Sequence, residues 1–219
     1  MPALPAPERG IRLWYRPGTA AMAPHAALAE IGCEYELARV DFDEPAAATE
    51  EYRRLNPWGR VPTLEDGGLV LTESAAIVLH LADRFPEAGL LPAVGSVERA
   101  EAYRWLVFLT NTVQASFMRF FYPERYTDAA GAAALKAHEG EALAAHFDWI
   151  DGELAGRDWL VGGERSAADL YLFMLVRWGR RLEPPAWERP ALRAHFLRLL
   201  ARPGVRRMLD EQGLEIPAL

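Results

Sequence analysis

The stretch from Asn56 to Leu81, NPWGRVPTLEDGGLVLTESAAIVLHL, leaves the chain few ways to fold. Asp66-Gly67-Gly68 is a hairpin signal with alternating apolar residues on both sides. The order predicted is strand, tight turn, strand, then a helix that opens at Glu73-Ser74. Pro62 lacks an N–H, so a strand starting there leaves Val61 with a free edge. A cis Val61-Pro62 bond costs little and would turn the Val61 N–H and C=O outward, toward a peptide-like ligand. At the other end, a helix N-terminus offers unpaired N–H groups and a partial positive charge. The Ser74 hydroxyl and N–H suit a carboxylate there, and the Glu73 carboxylate suits an ammonium. Together they fit the α-amino-acid end of a ligand. Taken singly, Pro62 reads as opening a strand and Ser74 as capping a helix; the two at this spacing are more specific.

The flanks extend the pattern. Ile11 to Tyr15 reads as a buried strand, and Arg16-Pro17-Gly18-Thr19 as a turn. Ala20 to Ile31 reads as a helix that Gly32 ends. Glu34 to Phe42 alternates as a strand does, and a helix follows over Ala46 to Leu55. The order β-α-β-α-β-β-α implies a parallel crossover with a late antiparallel edge. Leu91 to Ser96 is a linker, and the pattern beyond it is helical throughout. The expected architecture is an α/β N-terminal domain over residues 11–91 and an all-α C-terminal domain over 97–219.

In the helical part, Ser96 caps a long amphipathic run from Arg99 to Phe121. Trp105, Phe108, Leu109 and Thr112 fall on one face; Val107, Asn111, Gln114 and Met118 lie on a neighbouring stripe. The segment FMRFFYPERY, Phe117 to Tyr126, interleaves aromatic rings with Arg119 and Arg125. Such a segment is either core and contact surface or the wall of an apolar site, its arginines then suited to an acidic ligand. Thr127 to Leu154 is a second long helix, interrupted by Gly131 and Gly140. Ser166 to Asp169 is a capping-box variant ahead of an apolar helix over Leu170 to Leu182, so both are folding residues. Helices near Pro190 to Ala201 and Gly204 to Gln212 complete the bundle.

NPxGxVPTL, an acidic Gly turn and LTESxAIxxHLAD together resemble the glutathione-binding half of the glutathione S-transferases, and the likeness covers most of the chain. The resemblance implies a thioredoxin-like N-terminal domain. It implies that the loop of Arg60, Val61 and Pro62 pairs with the cysteinyl backbone of glutathione, and that Glu73 and Ser74 hold its γ-glutamyl end. Gln114 aligns with a polar position that approaches glutathione in the beta class. Most such proteins are homodimers.

The same resemblance exposes a gap. LWYRPGTAAMAPHAALAEIG looks like the beta class, which carries a cysteine and a serine after the Pro-Gly-x segment; Ala20 and Ala21 stand here. Thr19 and Tyr15 are the nearby hydroxyls and the candidate catalytic residues. Thr19 reads either as a thiol partner or as a turn and cap residue, and Tyr15 either as a family tyrosine or as a packed strand residue. A transferase must lower the thiol pKa. A thiol near ~8.5 is only a few per cent ionised at pH 7, and raising that ionisation about tenfold takes ~1.4 kcal/mol, the worth of one charge-assisted hydrogen bond. A hydroxyl with backbone N–H groups at a helix N-terminus suffices for that.

Composition narrows the partners. The net charge of −7 and pI near 5.3 argue against nucleic acid or an anionic membrane. No apolar run is long enough to span a bilayer, and no secretory signal is expected at the N-terminus, which reads as a loose tail. The single cysteine, Cys33, suits a reducing cytoplasm, and the five scattered histidines give no metal spacing. The function expected is a cytoplasmic glutathione transferase, with glutathione as co-substrate and an electrophilic small molecule as its partner, and with glutathione-dependent peroxide reduction through the same thiolate as a further activity. The alternative is a non-catalytic protein that keeps the glutathione site or only the fold.

Overall fold

The computed structural model describes residues 10–41 and 46–215; of residues 46–49 only the backbone is described. The N-terminal tail and Phe42, at the end of the predicted second strand, lie outside the described residues. The chain divides into two compact units, residues 1–90 with 201–219, and residues 91–200.

The first unit is built on four strands and four helices, in the order β1 (Ile11–Tyr15), α1 (Met22–Ile31), β2 (Tyr35–Arg39), α2 (Ala46–Leu55), β3 (Thr63–Asp66), β4 (Leu69–Thr72) and α3 (Ser74–Arg84), with α9 (Pro203–Glu211) added from the far end of the chain. The sheet order is β2-β1-β3-β4, with β1 parallel to β2 and antiparallel to β3. It is the order the strand and helix periodicity implies, with the hairpin as the antiparallel edge. Gly67 and Gly68 close that hairpin with φ of 56° and 92°. A two-residue turn with both φ positive matches the right-handed twist of the strands, which is why two glycines sit there. Along β1, Ile11, Leu13 and Tyr15 are buried while Arg12 and Trp14 are partly exposed, the alternation of a strand covered on one face. α1 begins at Met22, two residues later than its periodicity suggests, because Arg16 to Ala21 form the turn that enters it.

α9 packs against α1. A Cβ at Gly204 would sit 2.8 Å from the Glu30 nitrogen and 2.9 Å from the Ala29 carbonyl carbon, so only glycine lets the two backbones come this close. Arg202 seals the contact by donating to Glu30 Oε2 at 2.6 Å. The expected helical region 97–219 therefore runs across the compact division at its end, since residues 201–219 group with the first unit.

The second unit is helical: α4 (Val97–Phe108), α5 (Ala115–Phe121), α6 (Ala129–Leu154), α7 (Ala167–Trp178) and α8 (Pro190–Leu200). Ser96 caps α4 by accepting the Arg99 N–H at 3.1 Å. α4 and α5 are one rod joined by a π-helical turn over Leu109–Gln114. Trp105, Leu109, Val113 and Phe117 are all buried at a spacing of four residues. In a straight α-helix that spacing drifts by about 40° per step; the wider turn absorbs the drift. The face expected from a regular helix is thereby shifted: Val113, and not Thr112, is buried in the row of Trp105 and Leu109. α6 runs through Gly131 and Gly140, and at Gly140 the Phe120 ring fills the space of the absent side chain, 3.4 Å from where a Cβ would be. At α7 both arms of the capping box form, with Asp169 Oδ2 accepting the Ser166 N–H at 2.7 Å.

Candidate functional site

The ladder of the sheet gathers the predicted residues of the first unit. Trp14 on β1 lies opposite Thr63 on β3, and Thr63 lies opposite Thr72 on β4. One step beyond that row are Tyr15, Pro62 and Glu73. So the turn leaving β1, the loop entering β3 and the N-terminus of α3 meet at one end of the sheet.

The loop is held from below by two buried side chains, Tyr52 and the Asn56 that opens the NPxGxVPTL motif. The Tyr52 phenol donates to the Arg60 carbonyl at 2.6 Å and accepts from Thr63 Oγ1 at 2.7 Å. Asn56 Nδ2 donates to the same Arg60 carbonyl at 2.6 Å, and its Oδ1 accepts the Trp58 N–H at 3.1 Å. Both flanks of Val61-Pro62 are thus fixed, with Val61 half-buried and Pro62 buried. The Val61-Pro62 peptide is cis. Among the described residues, the Val61 N–H and C=O join no hydrogen bond of the loop or the ladder. The Arg60 side chain is exposed. The signal for the scaffold was present in the sequence as Asn-Pro, a turn former, one helical turn after Tyr52.

Glu73 has φ 68° and ψ 114°, the only non-glycine residue of positive φ among those described. Such a conformation costs on the order of 1–3 kcal/mol and marks sites where geometry is imposed. The Glu73 side chain is exposed and does not cap the helix, while its carbonyl starts that helix by accepting the Ile77 N–H at 2.9 Å. Ser74 is buried at the first helical position, so it stands one residue inside the place from which a serine caps.

In the turn after β1, the Thr19 hydroxyl donates to the Arg16 carbonyl at 2.7 Å and accepts weakly from the Ala21 N–H at 3.4 Å. Its proton is directed into the turn. Tyr15 is 8% exposed, packed edge-on to the His25 ring at 6.1 Å. The turn is also held from α9. Gln212 Oε1 accepts the Gly18 N–H at 3.0 Å, and Gln212 Nε2 donates to His25 Nδ1 at 3.0 Å. His25 Nε2–H then donates to Glu211 at 2.7 Å, which also accepts from the Tyr35 phenol at 2.7 Å. Burial lowers the His25 pKa and outweighs the opposing pull of Glu211. Burial pushes Glu211 up, but hydrogen bonds from Arg207, Tyr35 and His25 hold its carboxyl below the usual range. None of this chain of groups was foreseen, because Gly18 and Gln212 are 194 residues apart.

Gln114 belongs to the helical unit, where its Oε1 accepts the Tyr171 phenol proton. Of the two arginines considered for an acidic ligand, Arg119 is engaged by Glu139 and Arg125 stacks over Tyr122 with 4.1 Å to the ring centroid. Among the described residues no cluster of histidine, cysteine and carboxylate side chains has the geometry to hold a metal ion. No helix among them is long and apolar enough to cross a membrane.

A thioredoxin-like α/β unit with this loop, followed by a helical unit, defines a class of protein. Residues 10–83 match the family model of the glutathione S-transferase N-terminal domain, and residues 109–203 that of the C-terminal domain. The chain belongs to the glutathione S-transferase family. It is 32% identical to Glutathione S-transferase GST-4.5 of Xanthomonas campestris pv. campestris, over 93% of this chain and all of that protein. To Glutathione S-transferase GstA of Escherichia coli O157:H7 it is 30% identical, over 94% of this chain and 100% of the other. Among solved structures, a sphingomonad glutathione S-transferase complexed with glutathione superposes with a TM-score of 0.83 at 35% identity, over 93% of this chain and 100% of that one. A glutathione S-transferase from Xylella fastidiosa superposes with a TM-score of 0.84 at 33% identity, over 94% and 100%.

Proposed function

We propose that the protein is a glutathione transferase whose glutathione lies along Arg60, Val61, Pro62, Glu73 and Ser74. The observation that carries this is the convergence of the β3 loop, the α3 N-terminus and the β1 turn at one end of the sheet. The Val61 backbone then pairs with the cysteinyl unit. Glu73 takes the ammonium of the γ-glutamyl end, and Ser74 with the α3 N-terminus takes its carboxylate. Relatives named as glutathione transferases, matched over their own full length, support the same reading. Gln114 is proposed as a further polar contact.

The reaction is attack of the glutathione thiolate on an electrophilic small molecule. The thiol proton goes to solvent, a sulfur–carbon bond forms, and the leaving group departs with its electron pair. Peroxide reduction is a further activity of the same thiolate: it attacks a peroxide oxygen, the O–O bond breaks with release of an alcohol or water, and a second glutathione converts the sulfenic acid to glutathione disulfide and water. Thiolate stabilisation falls to the α1 N-terminus, to Thr19 and to Tyr15. For Thr19 to donate to sulfur it must release the Arg16 carbonyl. That engaged hydroxyl, with Ala20 and Ala21 beside it, favours the second reading: a protein that holds glutathione without activating it.

The domains proposed are 11–91 for glutathione and 97–219 for the helical part; the protein is placed in the cytoplasm, in detoxification, as a homodimer. Sedimentation at micromolar concentration tests the last, with a monomer overturning it. Calorimetry of reduced glutathione at neutral pH, in two buffers of different ionisation enthalpy, tests the first. Proton release on binding supports the enzyme, and binding without it supports the holding protein. Turnover of an aryl halide falls at least tenfold in Thr19→Ala if that hydroxyl serves the thiolate, and stays unchanged if Thr19 is only a cap. Ser74→Ala leaves glutathione affinity untouched only if the site is misassigned.

A further inference from the structure

The hydrogen bonds between α9 and the turn after β1 allow one consistent order of donors and acceptors. The Gly18 N–H can only donate, so the Gln212 atom 3.0 Å from it is Oε1. Nε2 of the same carboxamide then faces His25 Nδ1 at 3.0 Å. An amide nitrogen only donates, so Nδ1 carries no proton. The one proton of the neutral His25 ring is therefore on Nε2, toward Glu211 at 2.7 Å. The whole chain of groups lies within the first unit.

Burial makes that order matter. His25 has no exposed surface and Gln212 is 4% exposed, so bulk water does not replace a lost partner. A second proton on the ring goes to Nδ1, where it meets the Gln212 NH2 group, donor against donor. Turning the carboxamide over puts Oε1 on the new ring N–H and Nε2 on the Gly18 N–H, again donor against donor. Neither orientation of a glutamine serves Gly18 and a protonated His25 together. The charged and titratable groups around the ring come from three elements. α9 brings Glu211 and Arg207, paired with each other at 2.7 Å. β2 brings the Tyr35 phenol, which donates to Glu211, and β1 brings Tyr15, edge-on at 6.1 Å. On α3, which also packs against α1, His80 and Arg84 are engaged by Asp66. Burial lowers the His25 pKa, so the second proton is taken up below about pH 6.5.

A plain tie between two helices accounts for the contact of α9 with His25, but not for its extension to a backbone N–H in the turn. Gly18 has a φ of 73° and stands next to Thr19, so its amide fixes the path of the chain into α1. We infer that Gln212 and His25 are positioning residues for the glutathione thiol: the Gln212 carboxamide transmits the protonation of His25 to the Gly18 N–H, and acid releases the turn at which the sulfur lies. The relay itself stands on the hydrogen bonds; its effect on the thiol rests on the proposed place of glutathione.

Nuclear magnetic resonance of the isotope-labelled full chain, between about pH 5 and pH 8, tests the relay without any ligand. At neutral pH the His25 ring shows its proton on Nε2. On acidification the Gly18 amide resonance moves in step with the second ring proton. Gln212→Glu separates a relay from a plain tie. A carboxylate accepts from the Gly18 N–H and from a ring N–H at once, so His25 in that variant keeps its second proton to a higher pH, and the Gly18 amide no longer moves with it. Calorimetry with S-methylglutathione, which has no thiol to titrate, carries the test to the site. Its affinity for the parent falls at least threefold as His25 takes up its proton and stays level for Gln212→Glu. A Gly18 resonance that ignores the His25 proton, a ring proton on Nδ1 at neutral pH, no second proton above about pH 5, or an affinity that stays level in the parent overturns the proposal. If the resonances behave as expected and S-methylglutathione binds at no pH, the relay stands and the glutathione reading falls.

Discussion

Glu73 adopts a backbone conformation that glycine takes freely and glutamate does not. Glu73→Gly should therefore stabilise the protein by roughly 1 kcal/mol in urea unfolding. In the same variant, glutathione affinity should fall at least tenfold; unchanged affinity would remove Glu73 from the site. His25 makes a second test at this scale. Its folded pKa lies below its unfolded value because burial disfavours the charged ring. Below about pH 6.5 the unfolded chain takes up a proton that the folded protein refuses, so stability falls as pH drops through that region. Glu211 adds to the loss in a lower window, below the ordinary carboxylate range, because its folded pKa is lowered. Melting temperature against pH should show the His25 component, and His25→Gln should flatten it above pH 5. A melting profile as steep in His25→Gln as in the parent would assign the effect elsewhere.

At the scale of elements, two contacts decide how the site is held. Tyr52→Phe removes the donor to the Arg60 carbonyl and the acceptor for Thr63, both in a buried place. About 1–3 kcal/mol of stability should go with it, and glutathione should bind more weakly as the β3 loop loosens. The same variant with full stability would show that Asn56 alone fixes the loop. Gly204→Ala puts a methyl group within 3 Å of the α1 backbone. Overpacking of that kind costs about 1–3 kcal/mol, and denaturant unfolding of the variant measures it. What the sequence made legible at this scale was local. The hairpin, α2 and the capping box of α7 each carry their signal within a few residues. The π-helical turn did not, because periodicity assumes a constant turn, and it is Val113, not Thr112, that joins the buried row of Trp105 and Leu109.

Across the whole molecule, legibility ended where contacts join distant parts of the chain. The loop and α3 were read from one stretch of sequence, and the sheet then brought them together with the β1 turn. The hold on that turn from α9 was invisible, since a glutamine near the end of a helix has no pattern that points to Gly18. Gln212→Leu removes the acceptor of the Gly18 N–H with little change of volume. Hydrogen exchange at Gly18 should then rise at least tenfold while the amides of β1 keep their protection; unchanged exchange would mean the turn holds itself.

The bond between Gly18 and Gln212 also sets an order of events during synthesis. A ribosome delivers the chain from its N-terminus, so residues 10–84 are made well before α9. The strands β1 to β4 and helices α1 to α3 are outside long before α9 is. Until α9 is made, the first unit exists without the helix that packs on α1, its His25 without Gln212 and Glu211 and its entry turn without the Gln212 contact. The whole helical unit is made before that gap closes. The nascent protein can carry a finished sheet before α9 reaches the turn at Gly18, so the activity proposed here becomes available only once α9 has been made.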